Sequence, residues 1–166
     1  GTLPKGHVYS LGMPNDILRS AGLPNLPIEM SAERLAGKSQ QANHPFELSE
    51  TESLPAAIQH PIAIFDSTKK DGSSVILTEL KHGDSNFVAV LGVRQSDKQR
   101  KIDVEVNSIR SLYPKTHIQG IIDWFNSKDN LLRWVDKEKA LNFISTQEPN
   151  YLAGGDNAQS TSSESY

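Results

Sequence analysis

Between Ile62 and Tyr113 the apolar residues fall into four short runs, IAIFD, SVILTEL, NFVAVLGV and IDVEVNSI, with no proline among them although the chain has nine. Proline removes a ladder donor, and Val, Ile and Phe fit a pleated surface, so this stretch predicts sheet. The links between runs are short, and two carry turn pairs, Asp71-Gly72 and Gly83-Asp84. Such links are too short for parallel crossovers, so the runs should pair antiparallel in sequence order. In the fourth run Ile102, Val104 and Val106 alternate with Asp103, Glu105 and Asn107, which predicts one buried and one solvated face.

The flanks read differently. Prolines break residues 1–61 into short pieces. Pro14 can open a helix over Asn15–Ala21 that Gly22 stops. LPNLPIEM reads as extended. Ser31 can cap a helix over Ala32–Gln40, and His44-Pro45-Phe46 reads as an extended link. Ser49 with Glu52, or Ser53 before Pro55, can cap a short helix ending near His60. After Pro114, Thr116 can cap a helix whose Ile118, Ile121, Ile122 and Phe125 form one stripe. LLRWV predicts a fifth strand, and Asp136 can cap KEKALNFIS with Leu141 and Ile144 on one face. The expected architecture is an α+β fold: N-terminal short helices, a four- to five-stranded antiparallel meander sheet, and C-terminal helices packed on it. Residues 1–152 form one domain in this reading, and the Gly/Ser/Asn-rich residues 153–166 are expected to be a disordered tail.

Composition narrows the chemistry. At 166 residues the chain can bury a core without a staple, and with no cysteine it has no thiolate nucleophile and no Cys-type zinc site. A net charge of −3 is unlike that of a general nucleic-acid coat protein but leaves room for a local phosphate patch. No apolar run is long enough to span a membrane, so no membrane partner is expected. The start lacks Met and the blocks of a signal peptide, which reads as a cut from a longer protein. GxxxxGK[ST], GxGxxG, HExxH and GxSxG are all missing. No two of the five histidines have metal-ligand spacing, so neither metal nor other cofactor is expected.

The residue set does suit metal-independent RNA cleavage, which needs a base, an acid and cations for the phosphate. His44 or His117 with Glu79 could move protons. Lys81, Arg110 and Lys115 could hold phosphate. Thr78, Ser108 and Tyr113, with Ser111, could donate hydrogen bonds. Each position also has a plain structural reading: His44 as a loop group, Thr78 and Glu79 as strand composition, Asn107-Ser108 as a strand terminator, and Trp124 and Trp134 as packing.

The ordered set HVYSLGMPNDILRSAGLPNLPIEM, HPFELS, LPAAIQHPIAIFDS, VILTELK, EVNSIRSLYPK and LLRWVDKEKALNFI resembles a domain found at the C-terminus of phage MuF-type head-associated proteins, and also in very large polyvalent proteins of phages and conjugative elements. The resemblance spans roughly residues 5–147. It is closest at His44, Pro45, Thr78, Glu79, Asn107, Ser111, Tyr113, Asp136 and Lys137. It implies a place where mobile elements carry effector or toxin modules, some similar to barnase–EndoU–colicin–RelE-like ribonucleases, acting in the cytoplasm or delivered there from a virion. Two readings follow. One is a toxin-like, metal-independent ribonuclease whose partners are RNA and a cognate immunity protein. The other is a non-catalytic module that binds a phage or host protein.

Overall fold

The computed structural model describes residues 7–33, 52–96 and 104–147. Among them lie seven strands and four helices in the order β1 (Val8–Ser10), α1 (Asp16–Ser20), β2 (Ile28–Ser31), α2 (Leu54–Gln59), β3 (Ala63–Asp66), β4 (Ser74–His82), β5 (Ser85–Gln95), β6 (Glu105–Lys115), α3 (Ile118–Phe125), β7 (Leu132–Val135) and α4 (Lys137–Gln147). All seven strands join one sheet in the order β1-β2-β6-β5-β4-β3-β7.

The meander read from the sequence forms its centre: β3, β4, β5 and β6 pair antiparallel in succession. The β4–β5 turn places Gly83 at φ +60, a left-handed conformation that glycine adopts without a Cβ clash. LLRWV does supply a strand, β7, antiparallel to β3 on the outer edge. A four- to five-stranded purely antiparallel sheet understates the result. HVYS and IEM supply β1 and β2, and β2 runs parallel to β6, with Ile28 opposite Asn107. The sheet is therefore mixed. Strands of three and four residues between prolines carry too little periodicity to stand out, and the partner of β2 lies far away in sequence.

Alternation along the strands feeds two cores. Ile64, Ile76, Phe87, Ala89, Leu91 and Leu112 meet Leu18 of α1 and Leu54 and Ile58 of α2 on one face. Phe65, Val75, Leu77 and Val88 meet Ile121 of α3 and Ala140 and Phe143 of α4 on the other. Helices thus cover both faces of the sheet. Burial of each such large side chain contributes roughly 1.5–3 kcal/mol.

Local chemistry explains the helix bounds. Asn15 caps α1 through its side chain, accepting from Leu18 N. It also takes part in a link to α2: its backbone N–H donates to Gln59 Oε1, and its Nδ2 donates to Gln59 O at 2.6 Å. Asp136 caps α4 by accepting from Lys139 N at 3.0 Å. Residue 117, not Thr116, occupies the cap of α3, and it makes no side-chain cap bond. Leu141 does not share the inward face with Ile144. It is 67% exposed, and Ala140, Phe143 and Ile144 line the core instead.

The solvated face expected for the fourth strand holds at Glu105, which is exposed, and is corrected at Asn107. Asn107 and Ser108 are each 2% exposed. The segment before β2 covers this strand, and Asn107 Nδ2 donates to Pro24 O at 3.0 Å and Leu26 O at 2.7 Å. The strand also runs further than IDVEVNSI, through Pro114 to Lys115, so NSIRSLYPK is strand throughout. The expected helix beyond Glu33, Ser49 of the capping box, the His44-Pro45 link, residues 97–101 between the third and fourth runs, the strand start at Ile102 and the polar tail at 153–166 lie outside the described residues.

Candidate functional site

A local fault in β6 builds one cleft among the described residues. Val90 pairs with Ser111 but Leu91 pairs with Ile109, so Arg110 is an extra residue without a partner on β5. A bulge of this kind re-aims side chains and resets the alternation beyond it. Ile109 and Leu112 accordingly enter the same core, while Arg110, Ser111 and Tyr113 line one cleft on the opposite face.

The cleft has a volume of about 210 Å³. Its other walls are the β3–β4 turn, with Lys69, Asp71 and Ser73, and Trp124 of α3. Arg110 Nη1 donates to Ser73 Oγ at 3.0 Å and lies 3.5 Å from Asp71 Oδ2. The Ser73 backbone N–H donates to Asp71 Oδ1 at 3.0 Å. That bond, then the Ser73 hydroxyl, and more weakly the Arg110 charge, hold the Asp71 carboxyl below its ordinary 3.8. Burial pushes the Tyr113 phenol above its ordinary 10.0, so it stays protonated at neutral pH. Trp124 packs on Phe65 with ring centroids 5.5 Å apart and carries Lys115 Nζ 5.0 Å from its ring centre.

Gly92 makes this arrangement possible. A Cβ at that position would lie 2.4 Å from Arg110 Nε and 2.5 Å from Cζ. Only a glycine leaves room for the guanidinium, which crosses β5 directly over it. A glycine inside a strand is a known sign of such close approach. That was the one sequence signal for the cleft. Asp71, Ser73 and Lys69 read there as turn residues alone, and Trp124 as packing.

The remaining candidates disperse. Thr78 is fully buried: its hydroxyl donates to Phe87 O at 2.8 Å and accepts from Leu80 N at 3.2 Å. Asn86 Nδ2 donates to Thr78 O at 2.9 Å. These bonds hold the irregular stretch of β4 between Leu77 and Lys81, where the ladder to β5 shifts register. Glu79 faces α4 and pairs with Lys139 at 2.9 Å. Glu79 and Lys81 line a second cleft with Asn86, Asn142 and Phe143. Lys115 lines a third, with Asp84, Ser85 and Thr116. Ser108 is buried in β6 opposite Gly92. His44 lies outside the described residues, and His117 sits exposed at the start of α3.

Of the ten candidates carried from the sequence, the structure thus brings Arg110, Ser111 and Tyr113 into one cleft and Glu79 and Lys81 into another. Among the described residues, no group of three or more His, Asp or Glu converges as a metal cage would. No described helix is long and apolar enough to cross a membrane.

No curated protein and no solved structure matches this chain. A sequence model of the family described as the phage MuF-C-terminal domain does match, over residues 35–142. That range includes both halves of the first cleft, the β3–β4 turn and the β6 bulge, together with α3, β7 and the first half of α4. With nearly two thirds of its 166 residues matched, the chain is a phage protein module that belongs to the phage MuF C-terminal domain family.

Proposed function

We propose that this domain is a non-catalytic binding module of a phage head-associated or polyvalent protein, and that it docks a phage or host protein. The supporting observation is the separation of Glu79, a candidate proton carrier, from Arg110, the cation of the first cleft. Arg110 reaches back to Ser73 at the start of β4. Glu79 lies six residues further along that strand and faces Lys139. Six residues of extended chain span about 20 Å. An acid, a base and a phosphate-holding cation must instead converge on one phosphodiester within hydrogen-bond reach. The carboxylate that does adjoin Arg110 is Asp71, and its lowered pKa makes it a weak base at neutral pH.

The ribonuclease reading draws on a different observation, the meeting of Arg110 and Tyr113 in one cleft. One pair of experiments separates the two. Purified protein is incubated with total RNA and tRNA in EDTA, and separately co-expressed with phage head proteins and sized by light scattering. Intact RNA together with a stoichiometric complex is the expected outcome. RNA cleavage that disappears in Arg110→Ala and Tyr113→Phe would replace the binding reading with the catalytic one.

A further inference from the structure

We infer that the cleft between the β3–β4 turn, the β6 bulge and α3 is a receptor for a phosphate monoester, gripped by Arg110 with Lys69 beside it. This stands independently of protein docking by the rest of the surface.

The first support is the way Arg110 is seated. Nε and Cζ are nearly equidistant from a Cβ built on Gly92, while Nη2 is 3.0 Å from it, so the guanidinium lies flat across the glycine. A planar group laid flat keeps its N–H donors directed outward in its own plane. Only Nη1 is engaged, by Ser73 and Asp71. Among the described residues no acceptor takes Nε or Nη2, although the side chain is only 39% exposed. A half-buried guanidinium with an unused two-donor edge matches the geometry of an oxyanion.

The second support is the company it keeps. The Ser111 hydroxyl and Lys69 line the same cleft, and Lys115 sits over Trp124, the aromatic wall. A carboxylate is satisfied by one fork, whereas a phosphate dianion gains from each further cation. A volume of about 210 Å³ holds a phosphate and part of the group that bears it. Asp71 acts against the ligand. Its carboxylate lies 3.5 Å from Nη1, too long for a tight pair, so it keeps the arginine in position while weakening the site for anions.

This opposition gives a test that misfolding cannot mimic. Trp fluorescence or calorimetry would follow titration with inorganic phosphate at constant ionic strength, then with uridine 5′-monophosphate and with uridine. Phosphate should bind, and Arg110→Ala or Arg110→Lys should weaken it roughly tenfold or more. Gly92→Ala should weaken it as well, because it displaces the guanidinium without touching the ligand. Asp71→Asn keeps the acceptor for Ser73 N–H but removes the charge, and should tighten binding several-fold. Tighter binding of the monophosphate than of phosphate would identify a nucleotide-like ligand; equal binding would identify the phosphate group alone as what is read. No response to either at about 10 mM, affinity unchanged in Arg110→Ala, or no gain in Asp71→Asn would overturn the proposal.

Discussion

Asn107 ties β6 to the segment preceding β2, and replacing it with aspartate tests how much that tie contributes. The amide is 2% exposed and donates to two carbonyls, Pro24 O and Leu26 O. An ionised carboxylate has no donor. The substitution therefore removes two hydrogen bonds and leaves the carbonyls of exposed Pro24 and half-buried Leu26 facing a negative oxygen, at about 1–3 kcal/mol apiece. Allowing for relaxation, Asn107→Asp should lose about 3–5 kcal/mol at pH 7, a large share of the roughly 5–15 kcal/mol typical of a domain. With a urea slope of about 2 kcal/mol/M, the midpoint should fall by about 2 M.

The loss should depend on pH in a definite direction. Only the neutral carboxyl retains an O–H to offer a carbonyl, so the folded state raises the pKa of the introduced group above its unfolded value of about 3.9. The protonated form is then favoured by folding, and stability is lost as pH rises through the folded pKa. The deficit should be smallest near pH 4 and grow toward neutrality, while Asn107→Ala should show a deficit that does not change over this range. Urea curves at both pH values for the three proteins suffice. A variant that unfolds at the wild-type midpoint at pH 7, or one whose deficit is the same at both pH values, would refute the reasoning.

Thr78→Val keeps the shape but removes the hydroxyl's bonds to Phe87 O and from Leu80 N, and should lower stability by about 1–3 kcal/mol in denaturant melts. Phe143→Ala should cost about 3–5 kcal/mol, whereas Leu141→Glu on the same helix should stay within about 0.5, which a pair of thermal melts would distinguish. In an ultraviolet titration Tyr113 should ionise above the ordinary 10.0, a late phase that Tyr113→Phe removes; its neutral form is the one folding favours, so that contribution is lost as pH rises through the folded pKa. Asp71 shows the opposite sense: its contribution is present at neutral pH and fades as the pH falls below 3.8, which carboxyl chemical shifts would follow.

The central meander was legible because its runs follow one another without proline, are rich in Val and Ile, and are joined in the first two links by glycine turns. β1 and β2 were not, because a three-residue strand has no measurable period and β2 owes its place to bonds such as Asn107 N to Pro27 O. Asn107 misled for the same reason: alternation tells which residues share a face, but not that a distant loop will cover it. The first cleft depends on one unpaired residue, Arg110, which reverses the parity of everything after it in β6. Period-two reasoning would have separated Arg110 from Ser111 and Tyr113. Only Gly92 hinted otherwise, since a glycine amid Val and Leu in a strand needs a neighbour that requires the space.

The parallel pairing of β2 with β6 has a consequence for biogenesis. Ile28 emerges from the ribosome well before its partner Asn107, with about 80 residues still to be made. At 5–20 residues per second that interval is about 4–16 s. Throughout it Ile28 and Met30, which end fully buried, have only β1 to pair with. The meander can close by local hairpins, and β2 can pair early with β1, but its second ladder must wait until β6 is complete.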